Sequence, residues 1–195
     1  MTLASFSRYT AAMPLLRRIV VLFALLLAAP VAAAAPDAAL DALLTRLAQA
    51  GSKAEAVQLS EEVEALFFES GSATVDMLLQ RGIAAQKQGR LDLAGDFYGD
   101  VIALEPNFAE GYNRRAGLDY ERGRYGEALE DLNKTLALQP RHFGALAKLG
   151  LVLERLGATD AAYKAYEDAL AINPYEQTAK AGARRLAPLV QGRSL

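Results

Sequence analysis

A catalytic reading of this chain has to begin with His142, the one histidine among 195 residues. Imidazole titrates nearest neutral pH and is the commonest general base. No nucleophile with a partnering carboxylate accompanies it, so a satisfied surface histidine in the loop after Pro140 is expected. Glu127, Glu130 and Asp131 read as a solvated helix face, with Glu130 able to pair with Lys134 four residues on. Glu61, Glu62 and Glu64 would suit a hard cation, but at helical spacing they spread around the axis instead of converging. The chain has no cysteine, which removes disulfides, lipidated cysteine and thiolate metal sites. No metal, no cofactor and no enzymatic activity are expected.

The elements that must carry these residues are set by a period. Pro106, Pro140 and Pro174 stand 34 residues apart, and small residues recur in the same register: Gly82, Ala116, Gly150; Gly89, Gly123, Gly157; Ala94, Ala128, Ala162. A bulky column follows at Tyr98, Leu132, Tyr166, and apolar columns at Ile102, Leu136, Leu170 and at Leu104, Leu138, Ile172. A fixed period of this length means stacked supersecondary units. Apolar and small residues fall at i, i+4, i+7 and i+8, which is one face of a helix and not alternating strands. The second glycine column lies between two such stripes and suits the turn of a hairpin. Proline closes each unit because it cannot continue the second helix.

These columns resemble the tetratricopeptide repeat (TPR) family. Three full copies match, at 75–108, 109–142 and 143–176, about half the chain. The resemblance implies an all-α, right-handed α-solenoid of helical hairpins. Residues 37–70 look like a degenerate N-terminal hairpin: Leu40, Leu43, Leu44 and Leu47 form one stripe, Gly51 the turn, and Ala56, Val63 and Leu66 another. Ser52 with Glu55, and Asn107 with Glu110, read as capping boxes. Ala179, Ala183 and Leu186 mark a C-terminal capping helix within 177–195, with fraying expected after Pro188. Arg81 and Arg115 occupy a column more often leucine, and Ala85 and Asp119 one more often large and apolar, so the first two hairpins should pack less tightly. Gly95 and Gly99 should make 91–104 the least stable repeat helix.

In the TPR family the first helices of successive units line a concave groove that holds a peptide or partner helix. Carried over by column, the lining here would be Asp76, Leu79, Gln80 and Ile83, then Glu110, Asn113, Arg114 and Gly117, then Ala147, Lys148 and Leu151. Leu79, Ile83, Ala147 and Leu151 would form an exposed apolar floor, with Asn113, Arg114 and Lys148 offering hydrogen bonds. Chaperone-binding members grip a C-terminal carboxylate with Lys, Asn and Arg from three repeats. The corresponding columns here read Leu79, Ile83, Arg114, Gly144 and Lys148, which disfavours a cytosolic chaperone cofactor.

The first 34 residues have a secretory layout: Arg17 and Arg18, the apolar run 19–29, Pro30, then alanines. Cleavage after Ala33 or Ala34 is expected, with Met13 an alternative start and an uncleaved membrane anchor the alternative fate. Loss of Arg8, Arg17 and Arg18 takes the formal net charge from −2 to −5, against the basic face of a nucleic-acid binder. Fifteen arginines against six lysines, with abundant alanine, suggest a GC-rich bacterium and, with the leader, a periplasmic address. The phrases Ser70–Asp76, Ala109–Ala116 and Pro140–Leu146 resemble exported TPR proteins of α-proteobacteria. The expected function is an exported protein–protein interaction scaffold. The alternatives are a self-associating structural component, or an adaptor that recruits an envelope or peptidoglycan enzyme.

Overall fold

The computed structural model describes residues 36–192, and residues 37–192 belong to one compact unit. The expected leader, its cleavage positions and the alternative start at Met13 lie outside the described residues. Among those described there are nine helices and no strand. They are α1 (Pro36–Ala48), α2 (Lys53–Phe67), α3 (Ala73–Lys87), α4 (Leu91–Leu104), α5 (Ala109–Glu121), α6 (Tyr125–Leu138), α7 (Phe143–Arg155), α8 (Thr159–Ile172) and α9 (Gln177–Gln191). Helices α3–α8 pair as three successive hairpins. Each second helix also packs on the next first helix, and α3, α5, α7 and α9 touch in succession along one side. This is an all-α solenoid of stacked helical hairpins closed by a terminal helix.

The columns do the work expected of them. Gly89, Gly123 and Gly157 have φ of 72°, 72° and 76°, a left-handed conformation that a side chain would strain, and they form the hairpin turns. Ala94, Ala128 and Ala162 are fully buried at the helix crossings. The Tyr98 ring lies against Gly82 so closely that an added Cβ would sit 2.5 Å from it, and Tyr166 is sandwiched between Gly150 and Gly182. Both tyrosine hydroxyls find acceptors, Gln86 at 2.7 Å and Glu154 at 2.5 Å. Burial pushes the Tyr98 phenol up to about 12.

The polar residues that break the pattern are paired, which corrects two expectations. Arg115 makes a bidentate bond to Asp131 at 2.7 and 2.8 Å, so Asp131 is buried and is no part of a solvated face. Asp119 accepts from Arg124. Lys134 points over the Tyr112 ring at 5.9 Å. Arg115 therefore has a counter-ion within its own hairpin, at a column where the third repeat carries Leu149. Helix α9 does not stop at Pro188 but continues to Gln191, with Ala179 and Leu186 buried against the last repeat.

Of the two capping boxes, the first forms with its return bond shifted by one residue, to Gly51 instead of the N-cap Ser52. The Glu55 amide donates to Ser52 Oγ at 3.2 Å, and the Glu55 carboxylate reaches back to the Gly51 amide at 3.0 Å. The second does not: α5 is preceded by Phe108 without a side-chain cap, because Glu110 turns inward to a buried cluster.

Hairpin α1–α2 forms as a hairpin, and its neighbours decide the site. Its core of Leu44, Leu47, Ala56, Leu59, Val63 and Phe67 is shared with Phe143, Ile172 and Tyr175, residues of the third repeat and its exit loop. Two polar ties join the same regions, Arg141 to Asp41 at 3.1 Å and Asn173 to Ser60 at 3.0 Å. The connection to α3 turns at Gly71 (φ 79°) and is held by Ser70, whose hydroxyl and amide both donate to Asp76 at 2.6 and 3.0 Å.

Candidate functional site

The centre of the groove side is a polar cluster built from two first helices. Helix α5 contributes Glu110, Asn113 and Arg114 at i, i+3 and i+4, one face by helical geometry. Helix α7 contributes Lys148, and the turn before it contributes His142. His142 is the N-cap of α7, accepting from the Ala145 amide on Nδ1 at 3.3 Å. That leaves the proton on Nε2, which donates to Glu110 Oε2 at 3.0 Å. The same oxygen accepts from the Asn113 amide at 2.7 Å, and Arg114 donates to the other oxygen at 2.5 Å. Lys148 donates to Asn113 Oδ1 at 2.7 Å. Burial alone would raise the Glu110 carboxyl, but the hydrogen bond from His142 and the charges of Arg114 and Lys148 hold it down at about 2. Burial lowers the Lys148 ammonium to about 8 against the pull of Glu110.

His142 is thus a buried member of this cluster and not the surface residue expected from its place in a loop. A proline-bounded loop looks solvent-facing in sequence. The ring is covered because Phe67, from the end of α2, stacks on it with centroids 4.2 Å apart and planes 20° apart. Phe68 lies 4.5 Å from the Arg114 guanidinium, and a space of about 80 Å³ remains among these residues and Glu64, Phe143 and Gly144. Hairpin α1–α2 therefore covers the middle of the groove. No signal within the repeat columns marks this; the Phe67-Phe68 pair and the Ser-Gly-Ser break after it were the legible hints.

The expected lining divides by column. Leu79, Asn113 and Ala147 stand at equivalent positions, and all three are buried, at 0 %, 2 % and 3 % exposure. They are not an exposed floor: Leu79 belongs to the first repeat's core with Phe68 against it, and Ala147 to the third repeat's core. Ile83, Gly117 and Leu151 are half-buried, Asp76 is spent on Ser70, and Gln80 is exposed. Arg114 and Lys148 are half-buried and face the cluster. Further along the same side, Tyr120, Leu151, Glu154, Arg155 and Arg185 line an open depression of about 340 Å³ that the hairpin leaves uncovered. Among the described residues no acid or histidine group is arranged to hold a metal ion, and no helix is long and apolar enough to cross a membrane.

Stacked helical hairpins with a polar groove along their first helices define a repeat scaffold that binds through a surface. A tetratricopeptide repeat family model matches residues 143–176. A TPR repeat-containing protein of Rhizobium etli is 34% identical over 161 residues, 83% of this chain and 79% of that protein. The chain belongs to the tetratricopeptide repeat family. The Hsp70-Hsp90 organizing protein of Triticum aestivum is 35% identical over 102 residues, 52% of this chain and only 18% of its own length. The first TPR of Spaghetti (RPAP3), solved with an HSP90 peptide, matches at TM-score 0.58 and 24% identity, covering 60% of this chain and 93% of that one. That last likeness is one of fold. TPR domains mediate protein–protein interaction and are generally scaffolds without catalysis.

Proposed function

We propose that this protein is an exported interaction scaffold of the cell envelope, taking a peptide or partner protein in the groove formed by α3, α5 and α7. The observation that carries the reading is the groove's centre. Glu110, Asn113, Arg114, His142 and Lys148 converge there, and an apolar helix end is already seated against them. Groups that stack an aromatic ring and present cationic donors are suited to holding a polypeptide segment. Export rests on the basic, apolar, alanine-rich start of the chain. A fold neighbour holds an HSP90 peptide, which supports peptide binding as the kind of function without naming the ligand.

The test is in-cell photo-crosslinking of the tagged chain from Gln80 and from Leu151, with cell fractionation and N-terminal sequencing. A discrete crosslinked partner from both positions, lost when Arg114 and Lys148 are changed to Ala, is expected, together with a mature start after Ala33 or Ala34. Crosslinks only from an exposed convex position such as Lys164 would overturn the groove assignment. A cytoplasmic, uncleaved chain would overturn export.

A further inference from the structure

The segment that covers the groove also describes what the groove accepts. On the last turns of α2, Glu64, Phe67 and Phe68 stand at i, i+3 and i+4 and so share one face. Phe67 stacks on His142, Phe68 covers the Arg114 guanidinium, and Glu64 stands at the rim of the same cavity as Lys148. Below them Arg114 and Lys148 bring two positive charges against the single carboxylate of Glu110, and Glu64 supplies a second negative charge beside Lys148. A space of about 80 Å³ remains beside Glu64, Phe67 and Phe68, so this end of the hairpin is less closely packed on the solenoid than the shared core of Val63, Phe143 and Ile172.

The far end of the hairpin is held by the exposed Arg141–Asp41 pair and the Asn173–Ser60 bond. Its tether to the solenoid is Ser70-Gly71-Ser72, with Gly71 exposed and in a conformation only glycine adopts freely. From these contacts we infer that α1–α2 is a tethered stand-in for an external ligand. The groove binds a partner segment of the same chemistry, a carboxylate followed three and four residues later by two aromatic rings, and that segment enters by displacing the hairpin about Ser70–Ser72. This rests on the groove being the binding site, as proposed above. When the binding-competent state is only partly populated, the apparent Kd is the intrinsic Kd divided by that fraction. Weakening the internal cover therefore tightens external binding.

The probe is a fluorescein-labelled synthetic peptide with the sequence of residues 61–72, titrated against the full chain by anisotropy. Phe67→Ala with Phe68→Ala is expected to bind it at least tenfold tighter than the unmodified chain. Phe68→Ala alone, at a half-buried position, gives a smaller gain in a variant whose fold is less disturbed. Adding Arg114→Ala and Lys148→Ala to the double variant is expected to weaken binding at least tenfold, with helical circular dichroism retained. Because the chain has no cysteine, Val57→Cys and Ala171→Cys place one spin label on the hairpin and one on α8. Saturating peptide should lengthen the distance between them.

Equal affinity of the Phe variants and the unmodified chain would overturn the inference. So would bound peptide with an unchanged label distance, or binding that survives loss of Arg114 and Lys148. A concentration-dependent dimer in light scattering, in place of peptide binding, would overturn it in favour of hairpin exchange between copies. Each of these results leaves partner crosslinking from Gln80 and Leu151 intact; loss of that crosslinking would instead remove the groove function itself.

Discussion

Alanine at Gly150 and, separately, at Gly99 makes the same chemical change in two helices, and it should move stability in opposite directions. Both glycines are inside helices, where alanine is favoured by about 1 kcal/mol. At Gly99 an added methyl meets nothing within 4 Å, so that gain should appear in full. At Gly150 the methyl falls on the ring of Tyr166, which has no room to retreat. Gly182 lies against the same ring, and the hydroxyl is bound by Glu154 at 2.5 Å. Overpacking of this kind costs ~1–3 kcal/mol, and a ring held in this way belongs at the upper end. After the propensity gain, the net loss is about 2 kcal/mol. A chain of this size shifts roughly 2–4 °C per kcal/mol, so the expected changes in Tm are about +2 to +4 °C for Gly99→Ala and about −4 to −8 °C for Gly150→Ala. Thermal unfolding followed by circular dichroism measures both, and the double variant should show the sum because the sites lie in different hairpins. Shifts of the same sign, or a stabilised Gly150→Ala, would refute the packing argument.

Ala128→Leu should cost ~1–3 kcal/mol in urea unfolding, since Ala128 is fully buried at the middle hairpin's crossing. Asp131→Ala leaves half-buried Arg115 without its bidentate acceptor and should cost about 2 kcal/mol, between exposed and buried pairs. Arg115→Leu with Asp131→Leu should recover most of that loss by the same measurement. The Glu110 carboxyl is held at about 2 in the fold against an ordinary 4.5, so its stabilisation is present above pH 4.5 and lost as pH falls toward 2. Glu110→Gln should flatten that acid limb of stability against pH. Lys148 has the opposite sign: its pKa falls to about 8, so the fold gains stability as pH rises from about 8 to 10.5, and Lys148→Met should remove that rise. Hydrogen exchange should show α4 as the least protected repeat helix, because Gly95 and Gly99 both disfavour helix and Gly99 has no neighbour within 4 Å to offset that.

The repeat architecture was legible because its causes are local. Positive-φ glycines at each turn, alanines at each crossing and prolines after each second helix constrain the backbone residue by residue, and their recurrence every 34 residues identifies the unit. The partners of Arg115 and Asp119 were not legible. A charge in an apolar column predicts looser packing unless its counter-ion is known, and Asp131 lies sixteen residues away on another helix. Glu110 shows a further limit: the capping signature with Asn107 is satisfied in sequence, yet the carboxylate gains more from His142, Asn113 and Arg114 in the interior.

By itself the sequence determined the fold class, the repeat period, the hairpin turns and the columns that could face a groove, because helical period and backbone preference act over a few residues. The tertiary structure alone decided that the column of Leu79, Asn113 and Ala147 is buried, that His142 is a covered N-cap, and that α1–α2 lies over the middle of the groove. The physical reason is distance along the chain. Phe67 meets His142, and Ser60 meets Asn173, through contacts spanning 75 and 113 residues, which no local pattern encodes.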